Sequence, residues 1–297
     1  MIRTDQRYDV QVDVLGTIVF MLTRHEERGP GAVLDERGRF LASASIFSSS
    51  GWLQWPVVDM YVHVFARLLR LAWPRLPVRE PSADPLVLGH DVDHPAWPFY
   101  RTPTARLRAA VGAVIHRRDI GLAIRRARSL RWRERLSTAD PWNTYGYLMD
   151  MSERAGLAST FFFLTRDSEV PAGSTYQITD GWCTGLMAEI AHRGHHVALH
   201  GSYNSFDDQS RLVDEWRRLE RASTVAAASA LRPAVRQHYL RWRPDVTWRA
   251  QAGAGLKMDE TLGFADGLGY RAGTAEPSRR SISPPDAPSR CGSGRSM

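Results

Sequence analysis

The chain has 297 residues, of which 43% are hydrophobic and 24% are charged. This composition is ordinary for a folded globular protein and excludes a disordered or collagen-like chain. The formal net charge is +7, but residues 101–136 alone carry a local charge of +9 and residues 278–297 one of +3, so the rest of the chain is slightly acidic. The positive charge therefore belongs to two segments and not to the whole surface, and no specific binding of nucleic acid is expected.

Three sequence features bear on the cellular compartment. Cys183 and Cys291 are the two cysteines, and their separation fits neither a metal motif nor a disulfide scaffold. The first residues lack the apolar stretch of a signal peptide. The most apolar helical segment, residues 57–73, carries four polar residues at spacings of four, four and three, which makes it amphipathic and too polar to span a membrane. We therefore expect a cytoplasmic protein without a transmembrane segment.

Residues 1–80 predict a small α+β region. Residues 14–23 are apolar and fit either a strand or a helix. A turn is predicted at residues 36–39, and an amphipathic helix begins after Pro56. The proline-containing segment of residues 79–85 then predicts a linker to the rest of the chain.

From residue 85 onward, short apolar strands alternate with helices. Strands are predicted at residues 85–90, 159–165, 196–200 and around 234–236. Between them, helices are predicted at residues 139–156, 184–193 and 206–222. In the first of these helices, Asp140 can cap the N-terminus and Pro141 suits the first turn. This alternation indicates an α/β fold built on a parallel sheet or barrel.

The segment most suggestive of chemistry is residues 90–94, which read His-Asp-Val-Asp-His and follow directly after an apolar strand. In parallel α/β folds, polar groups at the carboxyl ends of strands face the active site. Asp91 and Asp93, two residues apart, suit a metal cation with a neighbouring base. A turn whose aspartates cap a helix or accept from backbone amides explains the segment about equally well.

Three further polar clusters follow later strands, at residues 200–204, 236–242 and 259–266. Each one taken singly is well explained by an ordinary loop, and His200 alone would be read as a satisfied core or loop histidine. Because the carboxyl ends of parallel strands meet at one edge, the clusters can converge on one site. Their recurrence is a stronger indication of function than any single member.

Taken in series, residues 90–94, 159–164, 200–205, 235–239 and 259–264 resemble the polysaccharide deacetylase superfamily, the NodB-homology group or carbohydrate esterase family 4. The resemblance spans roughly residues 10–277. Within the superfamily, the chain is similar to a bacterial branch with an N-terminal extension, through residues 20–26 and 38–40. The resemblance implies a distorted (β/α)7 barrel over residues 85–277, with residues 101–136 as an arginine-rich insertion, and one divalent metal ion, usually zinc.

The family's motifs assign roles by position. By resemblance, Asp91 is the general base, Asp93 a metal ligand, and His200 the first of two histidine ligands. At the second histidine position stands Asn204, whose carbonyl oxygen is a weaker zinc ligand than imidazole. His94 or an additional water could complete the metal shell. The remaining assignments are Arg236 as the residue that orients the catalytic aspartate and, as substrate-binding residues, Tyr203, His238 and Trp242.

The activity implied by the resemblance is removal of N-acetyl or O-acetyl groups from a sugar or glycan by metal-activated water. Two alternatives remain open: a glycan-binding relative without turnover, and a basic protein that binds nucleic acid or a membrane surface through residues 101–136. The last is less favoured, because runs of charge are usually solvated.

Residues 278–297 predict a disordered tail. The family continues at this point with further barrel elements and a late general-acid histidine, neither of which has a counterpart here. We therefore expect that the chain ends early, as a frameshift would cause.

Overall fold

The computed structural model describes residues 2–4, 7–77, 86–93, 142–165 and 176–278, together with positions 111, 112, 114, 115, 118–121, 124 and 136. Most of the arginine-rich insertion lies outside the described residues, as do His94, Asp140, Pro141 and residues 279–297. No helix in the described part of the chain combines the length and the hydrophobicity needed to cross a membrane.

The N-terminal region, defined as residues 7–77, contains helices and tight turns. A short strand precedes it in the chain and pairs with its first residues. Strand β1 (Ile2–Thr4) pairs antiparallel with β2 (Arg7–Asp9). Helix α1 (Val14–Leu22) settles the choice left open between strand and helix, and its N-terminus is capped by Asp13, which accepts from the Gly16 amide at 2.8 Å. The amphipathic helix α2 (Val57–Ala72) begins after Pro56, as predicted.

The turn predicted at residues 36–39 also forms. Leu34 and Phe40 make an isolated antiparallel bridge across it. Inside the turn, the Asp35 carboxylate accepts from the backbone amides of Arg37 and Arg39, both at 2.9 Å. An aspartate that satisfies the amides two and four residues onward stabilises a tight turn, which explains why this short polar segment has a fixed shape.

The rest of the described chain forms the sheet body, defined as residues 86–93, 142–165 and 176–278. Strand order follows the sequence and every neighbouring pair is parallel. The elements are β3 (Leu88–Val92), α3 (Tyr145–Arg154), β4 (Ser159–Leu164), α4 (Gly181–His192), β5 (His196–Gly201), α5 (Gln209–Val225), β6 (Leu231–Gln237), α6 (Thr247–Gly253) and β7 (Met258–Asp259).

The prediction of an α/β fold on a parallel sheet is confirmed. Within the described residues the sheet is open, with β3 and β7 at its edges; the distorted (β/α)7 barrel thus stays a prediction. Several element limits also differ from expectation. Helix α3 begins at Tyr145 and not at residue 139, with Thr144 and not Asp140 in the N-cap position. Strand β3 continues through Asp91 and Val92, and α4 begins at Gly181, because Trp182 and Cys183 are buried and belong to the packed helix.

Both faces of the sheet are covered. Phe161 and Phe163 join the large core formed with the helices, whereas Phe162 packs with Ala198 and Ala234 on the other face. Side chains alternate between faces along a strand, so a sheet buried on both sides needs an uninterrupted apolar run. The run of phenylalanines in β4 meets that requirement, and all six residues of β4 are buried.

Candidate metal and catalytic site

Polar side chains from three strands meet at the carboxyl edge of the sheet. The parallel register places Val92 beside Phe163, Leu164 beside His200, and His200 beside Arg236. The residues at and just after these strand ends therefore project from a common edge, as expected for a parallel sheet. The register brings Asp91 and Asp93 to the same edge as His200, Arg236 and His238.

Asp93, His200 and His238 form a compact cluster, and their ligand atoms all lie within 4.8 Å of one another. His200 Nε2 is 3.2 Å from Asp93 Oδ1 and 3.0 Å from His238 Nδ1. His238 Nδ1 is 3.7 Å from Asp93 Oδ1. Both imidazoles are buried, with 1% and 5% of their surfaces exposed. This set of atoms converges on one point.

The orientation of His200 is fixed by the backbone. Its Nδ1 lies 2.7 Å from the carbonyl oxygen of Arg236, which can only accept, so Nδ1 carries the proton. In the neutral ring, Nε2 then presents its lone pair to the cluster. Burial lowers the pKa of His200, but the hydrogen bond to Asp93 and the charges of Asp91 and Asp93 outweigh it, and the pKa is raised above its ordinary value.

Asp91 is held beside the cluster by Arg236. Arg236 Nη1 donates to Asp91 Oδ1 at 2.9 Å, and the second oxygen of Asp91, Oδ2, is 3.9 Å from His200 Nε2. Arg236 also donates through Nη2 and Nε to the side chain and backbone carbonyl of Glu260, both at 3.2 Å, and its guanidinium lies 4.5 Å above the Phe162 ring. A Cβ atom at Gly89 would collide with Nη2, so glycine provides the space for this arginine.

The polar segment at residues 259–266 begins with two acidic residues that lie in different environments. Glu260 contacts Arg236 and its pKa is raised by burial, although the Arg236 charge opposes the shift. Sequence reasoning singled out its segment but not this residue. The neighbouring Asp259 accepts from Trp248 Nε1 at 2.8 Å and from Gln251 Nε2 at 3.1 Å, and burial raises its pKa as well. Asp259 thus organises the start of the loop that follows β7.

The structure places the remaining predicted site residues at different distances from the cluster. Asn204 is exposed, and its Oδ1 accepts from Arg241 Nη1 at 3.2 Å. Tyr203 is half-buried with its ring 4.0 Å from the Arg241 guanidinium. Trp242 is only 2% exposed and packs against Trp248, with ring centroids 4.6 Å apart. Arg241 is a residue that sequence reasoning missed.

His238 is the residue whose position differs most from its assigned role. It was predicted to bind substrate, but it lies among the candidate metal ligands, in direct contact with His200. The signal in the sequence was its place two residues after Arg236, at a strand end. The resemblance instead predicts the second ligand of this motif at Asn204.

The donor set of the cluster fits a zinc-type ion. Two imidazoles and one carboxylate are ligands that zinc commonly takes in catalytic sites. Ligand atoms bound tetrahedrally at about 2.1 Å lie about 3.4 Å apart, which is close to the observed separations of 3.0, 3.2 and 3.7 Å. Asp93, His200 and His238 therefore suit a divalent cation with little rearrangement.

Comparison with known proteins gives one finding for the N-terminal part of the chain. A family model described as a family of unknown function, DUF7033, matches residues 1–74. No curated protein and no solved structure matches the chain. The match ends before the sheet body and does not include the residues of the site.

Proposed function

We propose that this chain is a metal-dependent hydrolase of the polysaccharide deacetylase type, which removes N-acetyl or O-acetyl groups from a sugar or glycan. The observation that carries the proposal is the Asp93–His200–His238 cluster, with Asp91 held next to it by Arg236. A metal-ligand set beside an oriented carboxylate is the arrangement that metal-assisted hydrolysis requires.

The three residues of the cluster would hold the cation, with zinc as the first candidate. When bound, the cation supplies Lewis-acid chemistry, which polarises a carbonyl and lowers the pKa of a water molecule. The protein contributes the fixed orientation of His200, whose Nδ1 proton is engaged by the backbone carbonyl of Arg236 at 2.7 Å.

Asp91 is the proposed general base. Its Oδ1 is engaged by Arg236, and Oδ2 lies on the side of the cluster, 3.9 Å from His200 Nε2. A carboxylate with one oxygen anchored and the other directed at the reacting centre can accept a proton there. Arg236 acts as a positioning residue. It donates to Asp91 through Nη1, and its own position is fixed by a second hydrogen bond, from Nη2 to Glu260.

We also propose that the five-stranded sheet belongs to a barrel of the (β/α)7 type. Support comes from its second buried face, where Phe162 packs with Ala198 and Ala234. In an open sheet with helices on one side, the other face contacts solvent or a second layer. In a barrel, that face lines the interior and is buried.

The metal site is tested by metal content and zinc titration of the full chain. We expect wild-type protein to retain zinc through dialysis and the variants Asp93→Ala, His200→Ala and His238→Ala to lose it. His192→Ala is the matched control, because this histidine is exposed at the end of α4. Wild-type protein that binds no divalent metal would overturn the proposal.

Turnover is tested by acetate release from N-acetylated and O-acetylated sugars. We expect Asp91→Asn to retain zinc and to lose acetate release, because the amide still accepts from Arg236 but does not take up a proton. Zinc and sugar binding without acetate release from any acetylated sugar would instead favour the glycan-binding alternative without turnover.

A further inference from the structure

A group of rings and guanidinium groups extends outward from the candidate metal ligands. The Tyr239 ring lies 4.3 Å from the His238 ring and 5.8 Å from the Tyr203 ring. The Arg37 guanidinium is 4.6 Å from the Tyr239 ring centre, and that of Arg241 is 4.0 Å from the Tyr203 ring centre. Arg37, Tyr203, Tyr239 and Arg241 form what we name the arginine–tyrosine cluster. All four are half-buried, so part of each side chain is accessible from solvent.

Arg241 in this cluster donates its hydrogen bonds to neutral acceptors. Its Nη1 donates to the Tyr203 carbonyl at 2.6 Å and its Nε to the Arg37 carbonyl at 3.2 Å. Its guanidinium also lies 4.1 Å from the Phe206 ring. No carboxylate among the described residues lies within ion-pair distance of it. Burial lowers the pKa of Arg241, although the charges of Asp207 and Asp35, which lie beyond ion-pair distance, oppose this shift.

Arg37 likewise has little compensating negative charge. The Glu36 carboxylate, at 3.7 Å, is 80% exposed, and exposed ion pairs contribute little. By contrast, Arg39 in the same turn is tied to Asp35 at 2.6 Å, and the Arg39 and Asp35 side chains are less than 20% exposed. The turn therefore neutralises one arginine and leaves the other facing the Tyr239 ring.

The cluster is held in place by contacts between distant parts of the chain. Tyr239 and Leu240 have φ angles of +59° and +56°, which non-glycine residues rarely adopt. Arg39 Nη1 donates to the Tyr239 carbonyl at 3.1 Å and secures this backbone from the N-terminal region. The turn at residues 35–39 thus forms one side of the site that begins at His238.

We propose that the arginine–tyrosine cluster binds an anionic group of the acetylated sugar, a carboxylate or a phosphate, and that the chain prefers anionic over neutral sugars. This inference rests on the proposed function and names its substrate class. Guanidinium groups bind carboxylate and phosphate oxygens with charge-assisted hydrogen bonds, and at Arg241 the Nη2 group remains for one because Nε and Nη1 donate to protein acceptors. Two such groups with little compensating negative charge, next to a candidate reaction centre, provide the charge complement for that class of ligand.

The kinetic test compares acetate release from N-acetylglucosamine, N-acetylglucosamine 1-phosphate and N-acetylmuramic acid by the metal-loaded full chain. The last two probes separate phosphate from carboxylate as the source of charge. We expect kcat/KM to be about tenfold higher for at least one anionic probe, since the two arginines would add charge-assisted hydrogen bonds to its anionic group. Arg37→Gln and Arg241→Gln should reduce this preference mainly through KM.

Arg75→Gln is the matched control, an exposed arginine of the N-terminal region away from the cluster, and it should keep the wild-type preference. Arg37→Gln keeps the test informative if Arg241→Gln fails to fold, because the turn is held by Asp35 and not by the Arg37 side chain.

Equilibrium binding to Asp91→Asn, measured with the same three sugars, separates the two proposals. Anionic binding that is weakened by Arg37→Gln, together with a wild-type chain that releases no acetate, would support the subsite and overturn hydrolysis. Equal kcat/KM values for neutral and anionic sugars in an active chain would overturn the subsite without contradicting hydrolysis. A preference for anionic sugars that survives both arginine variants would also overturn the subsite.

Discussion

In the sheet body every residue of β4 is buried, whereas in the N-terminal region Leu15, Val19 and Trp55 are each more than half exposed. The sheet body has a large apolar core shared by its strands and helices. The apolar cluster shared by the two parts is much smaller, comprising Phe40, Ala42 and Phe264 with a few half-buried neighbours.

Polar contacts make up for this small apolar interface. Glu27 of the N-terminal region accepts from Arg271 at 2.8 and 2.6 Å and from Arg24 at 2.7 Å. Asp266 accepts from the amide of Ala42 at 2.9 Å. The comparison teaches that apolar burial holds the sheet body together, while directional contacts of buried charges position the N-terminal region against the site. The two parts should therefore respond differently to mutation and to acid.

The largest effect is expected in the core of the sheet. Phe163→Ala should lower the free energy of unfolding by about 3–5 kcal/mol, because it removes a fully buried ring and leaves a cavity. Urea denaturation followed by circular dichroism measures this change. Leu268→Ala is the control, since that side chain is 80% exposed and should have almost no effect. A loss below about 1 kcal/mol for Phe163→Ala would contradict a tightly packed core.

Breaking the buried ion pair should act mainly on the N-terminal region. Glu27→Gln leaves Arg271 buried without its carboxylate and Arg24 with Glu26 alone, at a cost of about 3 kcal/mol. Hydrogen exchange should show faster exchange in α1 and α2 and little change in β4 and β5. Uniform loss of protection over both parts would show that they unfold as one unit.

Acid should weaken the same contact. Burial raises the pKa of Glu27, but hydrogen bonds and charges from Arg271 and Arg24 outweigh it, and the pKa is lowered below its ordinary value. A carboxyl whose folded pKa is depressed contributes stability above its unfolded pKa of about 4.3, and that stability is lost as the pH falls through the folded value. Protection of α1 and α2 should fall below about pH 4 in wild type. In Glu27→Gln, this pH dependence should be weaker.

A smaller effect on stability but a clear one on activity is expected at Gly89. Gly89→Ala places a Cβ against Arg236 Nη2, and the arginine must move away from its position beside Asp91. If hydrolysis is the function, kcat should fall about tenfold, because Asp91 loses a charge-assisted hydrogen bond. Zinc binding should stay close to wild type. Loss of zinc in this variant would mean that the substitution disturbs the strand and not only Arg236.

The smallest effect is expected at an exposed apolar residue of the N-terminal region. Val19→Ala should change the free energy of unfolding by less than about 0.5 kcal/mol, since Val19 is 58% exposed. Thermal unfolding measures the change. A loss of more than 1.5 kcal/mol, above the range for surface substitutions, would show that this helix face is covered in solution.

The amino-acid sequence by itself determined the parallel α/β architecture, because apolar strands of regular period alternate with helices and fix which residues stand at the strand ends. Asp91, Asp93, His200 and Arg236 reach one edge for this reason. Only the tertiary structure decided that His238 lies against His200, while Asn204 accepts from Arg241. Side-chain direction after a strand depends on local backbone angles, here the positive φ values that follow His238.

The docking of the N-terminal region was also decided only by the tertiary structure. Glu27 and Arg271 are 244 positions apart, and Arg39 and Tyr239 are 200 apart. Periodicity and turn signals report on neighbours along the chain and carry no information about such pairs. The residues that could recognise a substrate's charge are therefore visible only once the chain has folded.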